Sequence, residues 1–345
     1  LGGETQQCRT LMSGNLRHIL IAFISLMLLA GCNDCIIING EDVSVLLELS
    51  IKAPDVSGTP SVKGYEDPEA DGEKMNALRI IIVRPDGTVE HNRYLDLSSD
   101  PSVTILTQRF LVVGNEMKSI YLIANENNDL TKELYDFSSL GTGAAFPAET
   151  VSELEISVDA ADSDQIPMNL PMTALHQVQM PLKDHYATLD IIRAATKFTY
   201  TVENKTNHPL EISGITISKA ADKEYFLPRG YGDEDFEVPE DVVYEDFYIA
   251  CNQALSGSEK VRFDPVYLLE GRYEDPTDVR NYNTSIEING TLYSDYMSDL
   301  GSLPRNTHVV VNIIITKEAL DGYDISWIVD VRPYGEVVLE PEFGL

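Results

Sequence analysis

Over residues 42–52 apolar and polar side chains alternate, with Val43, Val45, Leu47 and Leu49 on one face. A period of two predicts a β-strand. The same pattern predicts strands over Ala77–Val83 and 88–95. Pro85-Asp86-Gly87 lies between them, where proline presets the first turn angle and glycine takes the positive φ of a hairpin. Strands follow at 108–113 and 118–125, the second with Ile120, Leu122 and Ala124 on alternate positions. A short helix is expected over 130–139 and a strand over 153–158. Residues 159–164 form an acidic turn, and apolar segments at 166–170 and 178–181 flank a polar connection.

Around residues 183–186 one domain is expected to give way to the next, and the style repeats. Phe198, Tyr200 and Val202 alternate with Lys197, Thr199 and Thr201 within 187–204. Ile212, Ile215 and Ile217 alternate imperfectly within 211–218. Residues 229–246 look like a long acidic loop, and 261–269, 282–293, 308–316 and 325–331 look like strands. Many short β-branched segments with turn signals between them predict an all-β chain with a β-sandwich in each half.

One stretch breaks the pattern. Residues 19–29 are apolar apart from Ser25, follow Arg17 and His18, and lead into Leu29-Ala30-Gly31-Cys32. A run of about 11 residues matches the apolar core of a secretion signal and is too short to span a bilayer. Small residues before a cysteine suit the lipoprotein signal peptidase, with diacylglycerol on the Cys32 thiol. The alternative is a buried apolar segment with an incidental cysteine; charge, length and the LAGC sequence together favour the leader. Residues 1–11 then precede a start at Met12. The expected organisation is 1–31 upstream residues and leader, 32–41 a lipidated tether, 42–185 a first sandwich and 186–345 a second. No later stretch reaches the roughly 18 apolar residues of a spanning helix, so attachment is expected through lipid.

Charge narrows the partners. The formal net charge is −31, which repels phosphate backbones and argues against nucleic acid. Cys35 and Cys251 are the other thiols of the expected mature chain. Export permits them to pair, and Cys35 can equally stay free in the tether.

The search for chemistry is short. The six histidines show no metal-ligand spacing, and no nucleophile elbow, phosphate loop or dinucleotide fingerprint occurs. The expectation is a non-enzyme with no catalytic residue, no cofactor and no metal. Asp159, Asp162 and Asp164, or Asp233, Glu234 and Asp235, offer hard oxygen ligands for Ca²⁺. Neither follows a calcium-loop spacing, and a solvated charged surface is the simpler reading. Tyr225, Tyr231, Tyr244 and Tyr248 cluster in sequence around the acidic loop, so a glycan-binding platform is the alternative function. A secreted hydrolase is a further one.

Several segments, taken in order, share one likeness. They are the lipobox Leu29–Cys32, strand 42–52, the hairpin at Pro85-Asp86-Gly87, Tyr121-Leu122-Ile123-Ala124-Asn125 and Ile166-Pro167-Met168. Arg193-Ala194-Ala195-Thr196-Lys197, Leu303-Pro304-Arg305-Asn306-Thr307 and the stretch from Ser326-Trp327 to Gly344 complete the set. Together they resemble the fimbrillins of Bacteroidetes, the pilins of type V fimbriae, with Thr196 where alanine is usual. The resemblance implies two transthyretin-like β-sandwich domains with Greek-key type connections. It implies a lipoprotein precursor on the outer membrane, whose first strand is released by a trypsin-like cut in the following loop. A strand from another subunit then fills the vacated groove.

On that resemblance the departing strand is 42–52. The donor is the tail Glu336, Val337, Val338, Leu339 and Glu340, with Val337 and Leu339 on one face. The tail's alternative role is an internal edge strand. Residues 53–75 contain no arginine, so the candidate cleavage residues are Lys52, Lys63 and Lys74. Either a lysine-tolerant protease acts, or the chain stays uncut as a lipid-retained anchor or tip subunit. Expected partners are other fimbrial subunits, the outer membrane through Cys32, and host or bacterial surface ligands.

Overall fold

A computed structural model describes residues 42–53, 71–99, 105–159, 164–230, 236–272, 282–296, 302–319 and 322–333. Cys32, Cys35, Lys63, Asp162, Tyr231, the cluster Asp233 to Asp235 and the tail Glu336 to Glu340 lie outside them.

The first half contributes β1 (Ser44–Lys52), β2 (Ala77–Val83), β3 (Val89–Asp96), β4 (Ile105–Val113), β5 (Met117–Ala124), β6 (Glu155–Ser157), β7 (Met172–Gln179), β8 (His185–Asp190) and β9 (Ile192–Arg193). One sheet has the order β4-β1-β8 and the other β3-β2-β5-β7-β9. Between them Leu47, Leu49, Leu78, Ile80, Phe110, Ile120, Leu122 and Met172 form a sealed core. The alternation that predicted these strands arises because each sheet turns every second side chain inward. The β2–β3 hairpin closes as expected. Gly87 has φ 83°, and Asp86 Oδ1 accepts both the Thr88 N–H and hydroxyl.

The second half contributes β10 (Thr196–Asn204), β11 (Leu210–Ala221), β12 (Lys223–Tyr225), β13 (Tyr244–Leu255), β14 (Lys260–Arg262), β15 (Val266–Leu268), β16 (Gly271–Arg272), β17 (Asn283–Ile288), β18 (Thr291–Tyr296), β19 (Ser302–Leu303), β20 (Thr307–Ala319) and β21 (Gly322–Pro333). Its sheets run β14-β10-β20-β21, with β15 also on β10, and β13-β11-β17-β18. Phe198, Tyr200, Val202, Ile212, Ile215, Ile217, Val311 and Ile313 fill the core between them. The chain is all-β, built of sandwiches.

Several expectations are corrected. Residues 130–139 are not a helix but turns ending in a 3-10 turn at Phe137–Ser139, and the short α-helix is α1 (Ala148–Ser152). The polar connection before residue 178 is strand β7. The acidic loop ends at Tyr244, where β13 begins. Residues 282–293 are a hairpin, β17–β18, folded at Asn289-Gly290 with φ of 48° and 76°, the double positive φ of a type I′ turn. The imperfect alternation of Ile212 and Ile215 is a β-bulge between Ile212 and Gly214. Residues 186–190, placed in the second domain by sequence, belong to β8 and pair with β1. The sheets change over between Arg193 and Thr196. Trp327 lies on β21, the last strand in its sheet order, half-buried against the core.

The described residues from Val43 onward form one unit. A third core, including Ile81, Tyr121, Phe146, Phe226, Tyr267 and Leu269, joins the sandwiches, and β6 pairs with β12 across them. The two arginine-containing motifs meet here. Arg193 Nε donates to the Glu73 carbonyl, and the Asn306 N–H donates to the Ala195 carbonyl. The buried Arg305 guanidinium holds Glu270 at 2.6 Å and donates to the Phe226 carbonyl.

Candidate functional site

The seat of β1 is the feature on which a strand-exchange function turns. β1 is the first strand of the described chain and the middle strand of its sheet. It pairs antiparallel with β4 from Ser44↔Val113 to Lys52↔Ile105. It pairs parallel with β8 from Leu47↔His185 to Lys52↔Asp190. Just before β8 begins, Asp184 Oδ1 accepts the Leu46 N–H and extends the ladder. At its start, the Val43 carbonyl accepts the Gly114 N–H at 2.8 Å. Residue 114 must be glycine for this approach, because a Cβ there would lie 2.8 Å from the Pro181 carbonyl oxygen.

The inward face of β1 is Val45, Leu47, Leu49 and Ile51, all buried. Val43, read as part of that face, is exposed and lies before the strand. At about 1.5–3 kcal/mol per buried side chain, these four contribute roughly 6–12 kcal/mol. That is comparable with the whole stability of a typical domain. A chain that loses β1 therefore needs another strand in its place. The outward face sets Leu46 among the polar residues Ser44, Glu48, Ser50 and Lys52, and Glu48 Oε2 meets Arg109 Nε of β4 at 2.5 Å.

The two described cleavage candidates are tied into the fold. The Lys52 carbonyl accepts the Ile191 N–H at 2.9 Å, and Ala53 beyond it is buried. The Lys74 carbonyl accepts Asn125 Nδ2 at 2.9 Å, and Met75 beyond it is buried. Proteases cut exposed chain, so both bonds are poor targets as folded. Asn125 explains the close of the Tyr121–Asn125 motif. It takes a positive φ of 55°, and its side chain also accepts the Asn76 N–H and donates to the Leu170 carbonyl.

Just past the loop, Glu73 is sealed between the sandwiches. Its carboxylate meets Lys197 Nζ at 2.7 Å and accepts the Tyr267 hydroxyl. Sequence inspection missed this anchor, because the acid-rich run 66–73 reads as a solvated loop throughout.

Other candidates are dispersed. Tyr225 is buried beneath Arg229, whose guanidinium carbon lies 3.4 Å from the ring centroid. Tyr244 spends its hydroxyl on the Arg272 carbonyl, and Tyr248 lies over Gly214 on β11. Of the three described tyrosines, only Tyr248 is exposed. Among the described residues, no group of three His, Cys, Asp or Glu side chains is placed to hold a metal ion. Cys251 is a free thiol, and burial pushes its pKa up to about 11.

Neither a protein-family model nor a curated protein matches the sequence. Solved structures do match in fold. A candidate cell adhesion protein from Parabacteroides distasonis superposes with a TM-score of 0.53 at 15% identity, covering 86% of this chain and 100% of that one. The tip fimbrial protein Mfa3 from Porphyromonas gingivalis, with a C-terminal truncation, gives 0.52 at 12% identity over 83% and 99%. The chain thus has the fold of these two proteins over nearly their whole length.

Proposed function

We propose that this chain is a non-catalytic fimbrial subunit of the cell surface that assembles by exchange of its first strand and supports adhesion. The observation that carries the proposal is the position of β1. It is first among the described strands, central in its sheet, and followed closely by the segment 54–70 that contains Lys63. A cut there separates β1 from the rest of the fold without breaking β2 or any later strand. The exposed walls, β4 and β8, would then offer unpaired backbone groups over an apolar floor, which is the setting for strand addition. The fold shared with a tip fimbrial protein and a candidate adhesion protein supports the same role.

Of the candidate cleavage residues, Lys63 fits best, because Lys52 and Lys74 both lie beside bonds held in the fold. The incoming strand is the tail Glu336–Glu340 of another subunit. Before processing, lipid on Cys32 holds the precursor at the outer membrane. The test is the N-terminus of the protein in sheared surface fibres, read by peptide mass spectrometry. A start within 54–70 is expected. A start at lipidated Cys32, with the protein left on the cells, would instead make it an uncut anchor.

A further inference from the structure

If β1 is exchanged, the strand β4 loses the only sheet partner it has among the described residues, since the order is β4-β1-β8. An edge strand with no ladder does not hold its place by backbone bonds. Yet β4 must stay as one wall of the groove for a new strand to pair with it. The structure shows what holds it from the other side.

In a strand, the N–H and C=O of one residue face the same edge, and successive residues alternate. On β4 the groups of Arg109, Leu111 and Val113 share one edge, and each is taken by a side chain of β3 in the opposite sheet. Glu90 Oε1 accepts the Val113 N–H at 2.6 Å. His91 Nε2 donates to the Leu111 carbonyl at 2.8 Å. Arg93 Nη1 donates to the Arg109 carbonyl at 3.2 Å and to Gln108 Oε1 at 3.0 Å. By alternation Gln108, Phe110 and Val112 are left to face β1.

The sequence of β3 is built for this reach. His91 and Arg93 pair with Ile82 and Ile80, whose side chains enter the first core, so both point inward. The register shift between Ile82 and Val83 makes Glu90 the extra residue of a bulge, and a bulge re-aims a side chain. The buried Lys118 ammonium then fixes Glu90 at 2.5 Å. The Arg93 guanidinium covers the Phe110 ring at 4.3 Å. The other wall is held in the same way: His176 of β7 donates through Nε2 to the Asp190 carbonyl of β8 at 2.7 Å.

We propose that Glu90, His91 and Arg93, with His176 opposite, are positioning residues that clamp the two walls of the β1 seat by their outer edges. They keep the groove open through strand exchange and close the outer edge of β4 to strand addition. This rests on the strand-exchange function proposed above.

The test uses the full chain with one protease recognition sequence inserted in 54–70. The folded protein is cut, stripped of the β1 fragment by gel filtration in dilute urea, and returned to buffer. Hydrogen exchange of β4 and uptake of a synthetic peptide of residues 334–345 are then measured. The uncut H91A/R93A variant is expected to exchange β4 like wild type, because β1 still holds it. After stripping, β4 should exchange at least tenfold faster in the variant, and peptide uptake should fall at least tenfold. H91Q, which keeps a donor, should behave as wild type. Equal β4 exchange in stripped wild type and variant would overturn the clamp. Should H91A/R93A not fold, H176A is read out on β8 with the same two outcomes. If wild type takes up no peptide, the strand-exchange function fails, and β4 exchange still decides whether the clamp exists.

Discussion

Lys197 of β10 and Glu73, just before β2, meet at 2.7 Å with both side chains sealed from solvent. The pair pins Glu73, just past the proposed cleavage segment, to the second sandwich. If the chain is cut in 54–70, Glu73 and all that follows it would stay anchored when β1 leaves. Removing one partner of a buried ion pair strands the other charge. Lys197→Met is expected to cost about 3–5 kcal/mol in urea unfolding. The double variant E73Q/K197M should recover part of that loss, because a glutamine side chain is neutral and still accepts the Tyr267 hydroxyl.

Stability should fall as pH rises through neutrality. Burial pushes the Glu224 carboxyl up to about 8, against the pull of Arg305 and with the charge of Glu270 adding to the rise. Arg305 Nη2 approaches to 3.4 Å, but Glu224 Oε1 receives no hydrogen bond, so the protonated acid is the form that fits. An ordinary glutamate loses its proton near 4.5. Between those values the folded chain holds one proton more than the unfolded chain. This contribution is thus full below about 4.5 and lost as pH climbs towards 8, with a slope of at most about 1.4 kcal/mol per pH unit. Urea unfolding from pH 5.5 to 8 should show the decline, and Glu224→Gln should flatten it. An unchanged slope in that variant would contradict the assignment.

The two faces of β1 should respond unequally. Leu49→Ala opens a cavity in the first core and is expected to cost about 2–5 kcal/mol. Glu48→Ala removes a pair whose arginine is 68% exposed, and a solvated pair contributes about 0–1 kcal/mol. Thermal or urea unfolding of the two variants, run side by side, checks the ordering.

Deleting residues 334–345 should leave a folded monomer that no longer polymerises, seen as a single low-mass species with a native β-sheet spectrum. Fibres of normal length from the truncated chain would remove the tail as donor. Unfolding on truncation would make it an internal strand.

Much of this architecture was legible because inward positions alternate: Phe198, Tyr200 and Val202 declare β10 without help. The failures have local causes. Leu130 and Leu134 carry a helical spacing, but Asn128 Oδ1 caps the Leu130 N–H and Asp136 Oδ1 the Ser138 N–H, and such side-chain bonds favour turns over helix. Strand β7 hid because its core-facing positions include His176, while Thr173 is buried by donating to the Phe226 carbonyl. Glu245 and Asp246 made the start of β13 look like loop. The inward polar side chains of β3 gave no sign of their targets, since the edge of β4 they bind is defined only once both sheets are assembled. The central place of β1 likewise needs its parallel pairing with β8, more than a hundred residues away.

The most direct test places a photo-crosslinking side chain at position 109, on the outward face of β4 opposite Glu48. In the uncut precursor the crosslinks should map to residues 42–52 of the same chain. In assembled fibres they should map to residues 334–345 of a second chain. Crosslinks that still reach 42–52 in fibres would show β1 in its original seat and contradict assembly by exchange of that strand.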